Sequence, residues 1–128
     1  MTEHPNAVTV RRIFEAFNSG NQDVIREAYS EDIVLRFAGN NALSGTHRGR
    51  DAVMDTVRAM LEWGPQTETE TVLASDDHIL IFFRVISEPD DKALDVVLAM
   101  PMKFNAEGKI TEIWFLPNDQ RGFDQFWS

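Results

Sequence analysis

Arg36 is the residue whose type and place say most about possible chemistry. It sits in a short β-rich run, Asp32-Ile-Val-Leu-Arg-Phe. A guanidinium keeps its proton and cannot act as a base. What it can do is grip a carboxylate, phosphate or enolate oxygen, or stabilise charge that develops on one. The same residue also suits an outward strand position paired with a carboxylate, because one sequence alone does not fix strand register. Arg84 shares strand parity with Leu80, Phe82 and Ile86. If it is buried there it needs a counter-charge, and Asp95 in the next extended segment is the candidate. His47 precedes the third helix, in a loop that could overhang a pocket mouth, though a place away from the pocket accounts for it more simply. His4 lies in an N-terminus expected to fray, and His78 at a turn. The three histidines lack metal-ligand spacing, and the chain has no cysteine, so thiolate chemistry and Cys-ligated zinc are excluded. Glu112 and Asp119 carry carboxylates that could serve as acids, but surface or interface roles account for both more simply.

These residues must be positioned by two differently patterned halves. Val10, Ile13, Phe14 and Phe17 recur at i, i+3, i+4 and i+7, which predicts a helix over 5–19. Asn18-Ser-Gly-Asn stops it. Val24, Ile25, Ala28 and Tyr29 mark a short second helix, the strand with Arg36 follows, and Gly39-Asn-Asn-Ala-Leu-Ser-Gly reads as loop. After Gly49, the stripe Val53, Val57, Met60 and Leu61 predicts a third helix that Gly64-Pro65 ends. Extended segments are then expected near 67–74, 78–87, 94–105 and 109–116. Turns at Ser75-Asp-Asp, Glu88-Pro-Asp-Asp and Asn105-Ala-Glu-Gly separate them, as in an antiparallel meander. The even positions from Leu94 to Phe104 form an unbroken apolar face. Pro101 cannot donate to a ladder, so a bulge or local break is expected there. Phe123, Phe126 and Trp127 fit one amphipathic turn that lids the structure. Helices early and strands late make an α+β fold.

The 128 residues suit a single domain spanning 1–128. A formal charge of −9, from 21 acidic and 12 basic residues, is the wrong balance for a nucleic-acid partner. No apolar run approaches the roughly 20 residues of a membrane span. Met1-Thr-Glu-His-Pro has neither the basic start nor the apolar stretch of a secretory signal, so cytoplasm is the expected compartment.

Several strings carry a family resemblance in order. They are Phe14-Glu-Ala-Phe-Asn-Ser-Gly-Asn, Tyr29-Ser-Glu-Asp-Ile-Val, Ser44-Gly-Thr-His-Arg-Gly-Arg-Asp-Ala-Val and Lys103-Phe-Asn-Ala-Glu-Gly-Lys-Ile-Thr-Glu-Ile-Trp, capped by Phe126-Trp127. Together they resemble the SnoaL-like polyketide cyclases and the ketosteroid-isomerase-like branch of the nuclear-transport-factor-two-like superfamily. The resemblance implies a cone-shaped α+β barrel, with three N-terminal helices packed on a curved, mostly antiparallel sheet around a pocket. It also implies a homodimer formed through the open sheet face, leaving Ile110, Trp114 or Leu116 in need of a partner surface.

The resemblance makes the family's chemistry testable position by position. The ketosteroid isomerase Tyr, base Asp and acidic donor fall on Ile13, Arg36 and Met100, so the base and both donors of that reaction are missing. The epoxide hydrolase pattern meets Arg84, but Ile86 and Phe115 replace its two aspartates. The histidines that many relatives place near Arg36 and Met100 are absent. What remains is a pocket for a small apolar molecule, with Ile13, Phe17, Phe37, Met100 and Phe115 as wall and Trp63 and Trp127 as movable lid. Arg36, with Arg84, Asp95 or His47, would supply its polarity. Two functions follow: a cofactor-independent cyclase, isomerase or lyase acting on an apolar or polycyclic metabolite, or a non-catalytic binding or dimerisation module.

Overall fold

A histidine starts the first helix. In α1 (Pro5–Ser19) the imidazole Nδ1 of His4 accepts the backbone N–H of Asn6 at 3.1 Å, and Pro5 occupies the first turn, where its missing N–H is no loss. The other ring nitrogen of His4 lies 3.0 Å from Asp76. The terminus expected to fray is therefore fastened from His4 onward, because one imidazole serves two acceptor–donor pairs.

The computed structural model describes residues 3–87 and 94–128. After α1 come α2 (Gln22–Ala28), β1 (Tyr29–Phe37), β2 (Gly45–Arg48), α3 (Arg50–Trp63), β3 (Gln66–Ala74), β4 (His78–Ser87), β5 (Leu94–Phe104), β6 (Ile110–Pro117) and α4 (Gln120–Phe126). The expected turn at Glu88-Pro-Asp-Asp lies outside the described residues. None of the helices described is long and apolar enough to cross a membrane.

The fold is α+β, with one six-stranded sheet in the order β2-β1-β6-β5-β4-β3. Strands β3 to β6 form the antiparallel meander, and β1 joins β6 in parallel. The helices are not one N-terminal block: β1 and β2 separate α2 from α3, and α4 follows the last strand. The segment expected as loop contains β2, whose residues pair antiparallel with 34–37 of β1. Opposite β6, the ladder of β5 runs through Leu98 and Ala99, then resumes at Met102 in the same register. The break expected at Pro101 is thus present on that edge, while the ladder to β4 continues through Pro101.

One sheet face is covered by helices. Ile79, Ile81, Phe83 and Val85 of β4 are buried, as are the even residues 94–104 of β5. Phe14 of α1 meets Phe83 with ring centroids 4.8 Å apart. Each such side chain contributes about 1.5–3 kcal/mol by leaving water. The opposite face carries Leu80, Phe82, Ile86 and Val97, all half-buried, and the exposed Leu116.

Candidate functional site

The stripe of α1 and the inward residues of five strands enclose a cavity of about 70 Å³. Ile13, Phe14 and Phe17 come from α1, and Val57 and Met60 from α3. The sheet contributes Leu98, Met100 and Met102 from β5, with Ile113 and Phe115 from β6. Phe123 and Trp127 close it from the C-terminal segment. Phe17, Thr67 and Phe115 are only half-buried, so part of the lining lies within reach of solvent. Asn18, next to Phe17, fastens that edge: its Oδ1 accepts from the backbone N–H and the hydroxyl of Thr67 at 3.0 and 3.1 Å, and its amide donates to the Thr67 carbonyl at 3.1 Å.

Among the described lining residues only Tyr29 and Thr67 carry polar side chains of the hydroxyl type, and Trp127 adds an indole N–H. Tyr29 is 6% exposed, and no hydrogen bond of its hydroxyl is found among the described residues. Burial pushes its phenol well above the ordinary range, so the group stays protonated. The Trp127 N–H is also buried without a partner. Sequence reasoning missed Tyr29 by reading it as one more apolar position of α2. The available signal was that it is the only tyrosine of the chain, placed where helix passes into strand.

The candidate polar residues sit elsewhere. Around Arg36 the buried residues of β1 are Ile33, Leu35 and Phe37, so Arg36 points to the opposite sheet face. There its Nη1 is 3.5 Å from the Glu112 carboxylate, and its guanidinium lies 5.0 Å from the centre of the Trp114 ring. Lys103 approaches the same carboxylate at 3.8 Å. Of the two readings of Arg36, the outward strand position paired with a carboxylate is the one found, because side chains one residue apart on a strand face opposite ways. Arg84 does pair with Asp95, Nε to Oδ1 at 2.7 Å, but in an exposed position on that same outer face. The Arg84 hydrogen bond holds the Asp95 carboxyl below its usual range.

His47 is not a loop residue over the mouth. It lies in β2 opposite Leu35, and its Nε2 donates to the Leu43 carbonyl at 2.7 Å, since a carbonyl can only accept. Asp119 caps α4 by accepting from Gly122 N–H at 3.0 Å. Of the expected wall residues, Ile13, Phe17, Met100, Phe115 and Trp127 line the cavity. Phe37 stands behind the lining, stacked on Phe123 at 5.3 Å and edge-on to Phe115 at 5.1 Å. Trp63 packs on Phe126 and Trp127 at 5.5 and 5.4 Å without being part of the lining.

The closing helix is held by one carboxylate. Asp124 Oδ1 accepts from the backbone N–H of Asn40 at 3.1 Å, the Asn41 amide at 2.8 Å and the Gln120 amide at 2.9 Å. These bonds, that of Asn41 first, hold the Asp124 carboxyl below its usual range. Ala42 N–H adds a bond to the Trp127 carbonyl at 3.0 Å. The sequence showed the aromatic side of this helix but not its polar clasp.

The arrangement agrees with what the chain is similar to. The model of the SnoaL-like domain matches residues 10–113. The chain belongs to the SnoaL-like domain family. An uncharacterised protein of Mycobacterium tuberculosis is 26% identical to it, over 100% of both chains. The solved structure of Bal32a, from a soil-derived mobile gene cassette, is 31% identical, with 96% of each chain covered and a TM-score of 0.87. An NTF2-like protein from Burkholderia xenovorans shares the fold at 19% identity and a TM-score of 0.77, covering 100% of this chain and 99% of the other. In this SnoaL-like domain, α4 and its Asp124 clasp lie beyond the matched residues.

Proposed function

We propose that this SnoaL-like domain binds a small, uncharged, largely apolar molecule in the cavity between α1, α3 and the inner sheet face, without catalysing its conversion. The observation that carries the reading is the lining itself. General acid–base chemistry needs a titratable group within hydrogen-bond reach of the reacting atom, and the candidate residues Arg36, Arg84, Asp95 and His47 are all spent on other partners away from the cavity. A cyclase, isomerase or lyase acting there would have a neutral phenol as its acid and no base. A cavity of about 70 Å³ is also smaller than the ~150 Å³ that takes up benzene in an engineered protein. Even a single ring therefore enters only in part, with the rest of its frame at the half-buried edge of Phe17, Thr67 and Phe115, and a fused polycycle suits the cavity worse still.

The test is native mass spectrometry of the purified protein for a co-purified neutral ligand, with backbone amide shifts followed during titration with cyclohexanone. Shifts confined to the cavity lining support the reading. Shifts scattered over the surface, or none at millimolar ligand, sink it.

A second surface supports self-association. Leu80, Phe82, Ile86, Val97 and Leu116 stand on the sheet face that no helix covers, around the Arg36–Trp114 pair. Contiguous apolar surface of this kind marks an interaction site, and a two-fold pairing of sheet on sheet would bury it in both copies.

A further inference from the structure

We propose that Tyr29 is the hydrogen-bond donor of the cavity and selects ligands that carry one neutral acceptor oxygen, a ketone, ester or ether on an apolar frame. The inference rests on the cavity being a binding site, as argued above, and adds the chemistry by which it chooses.

A donor without a protein partner on the wall of an apolar cavity favours a ligand that can accept from it. The ring of Tyr29 is buried and lines the cavity, and no hydrogen bond of its hydroxyl is found among the described residues. The other unpartnered donor, the Trp127 N–H, is sealed away from solvent and so is not offered to a ligand. Water is a poor substitute in such a place, because an ordered water needs two to four polar partners. The other hydroxyl of the lining, on Thr67, is already committed to Asn18. The missing partner is therefore complementary to a donor. A ligand hydroxyl donating to the phenol oxygen would still leave the phenol O–H without an acceptor, so the ligand must present a lone pair. Its charge is constrained as well. No lysine, arginine or histidine lines the cavity among the described residues, and an anion placed there would lose its hydration without gaining a counter-charge. Neutral, apolar and singly accepting is the class that remains.

Cyclohexanone and methylenecyclohexane separate the two claims, because they share one shape and differ in the acceptor. The intact protein and its Tyr29→Phe variant are titrated with both, following amide shifts for affinity and the carbonyl stretch of ¹³C-labelled cyclohexanone by difference infrared spectroscopy. The expected result is a downshifted carbonyl in the wild type that reverts in Tyr29→Phe. Ketone affinity should fall roughly five- to tenfold, while methylenecyclohexane binds the variant at least as well as the wild type. Equal ketone binding by both proteins, with an unchanged carbonyl stretch, overturns the role of Tyr29 and leaves the cavity standing. Failure of both probes to perturb the lining of the wild type overturns the binding site and this inference together.

Discussion

The guanidinium of Arg36 lies 5.0 Å from the centre of the Trp114 ring, on the sheet face opposite the cavity. Its carboxylate partner Glu112 is shared with Lys103, so cation, ring and carboxylate form a surface cluster with no access to the interior. Arg36→Met should accordingly leave cyclohexanone affinity unchanged. Half-exposed ion pairs and cation–π contacts are each worth about 1 kcal/mol or less, so urea unfolding should shift by no more than about 1 kcal/mol. A tenfold loss of ligand affinity would place the cation back at the site.

The uncovered face predicts a homodimer. Light scattering at micromolar concentration should return about twice the 14.6 kDa of one chain. Phe82→Glu, on that face, should give monomers, because each copy would have to bury a carboxylate without a counter-charge. A monomeric wild type refutes the prediction.

Tyr29→Phe should stabilise the empty protein. The hydroxyl has no partner among the described residues, so removing it forfeits no protein hydrogen bond, adds apolar surface to an apolar wall for a gain of at most about 1 kcal/mol, and keeps the ring in place. The urea midpoint should rise at unchanged slope. A fall of similar size would mean that the hydroxyl has a protein partner.

How much of this was legible in the sequence differs from element to element. The helices α1 and α3 were readable because three or four large apolar residues recur on one stripe between clear stops. Strand β2 was not: Gly45-Thr-His-Arg is four polar residues on a sheet edge, where burial imposes no alternation. The face of Arg36 was written in its own neighbours, since Ile33, Leu35 and Phe37 alternate with it. The family alignment that put Arg36 in the pocket carried no parity. Tyr29 escaped notice because its ring satisfies the apolar pattern, and only burial reveals that its hydroxyl lacks a partner.

The Asp124 clasp predicts a specific acid response. A carboxylate whose folded pKa lies below its unfolded value of about 3.9 contributes stability fully present above that value. The contribution is lost as pH falls through the lowered folded pKa. Fluorescence of Trp127 and Trp63 should therefore hold steady from neutrality to about pH 4 and change below it. Asp124→Ala should show the loosened signal already at pH 7, with faster amide exchange at Asn40 and Ala42. Identical pH profiles for wild type and variant would remove the clasp from the account.

Gly39→Ala attacks the same contact from the other side. Gly39 has φ +103°, and a Cβ there would stand 2.1 Å from Asp124 Oδ1. Strain and collision together should cost at least about 2 kcal/mol in urea unfolding. A neutral substitution would show that loop and helix can separate freely.

The parallel pairing of β1 with β6 sets a timetable for making the molecule. Tyr29 meets Ile110 and Phe37 meets Phe115, partners 81 and 78 residues apart. Loop closure over such a distance is slow compared with zipping the β3–β6 meander. During synthesis β1 has no partner in the sheet but β2 until the chain has been extended past Pro117, and the Ala42–Trp127 bond waits longer still. The cavity is therefore among the last features of this fold to exist: a nascent chain carries helices and a growing meander, and becomes able to hold a ligand only when residues 117–128 arrive.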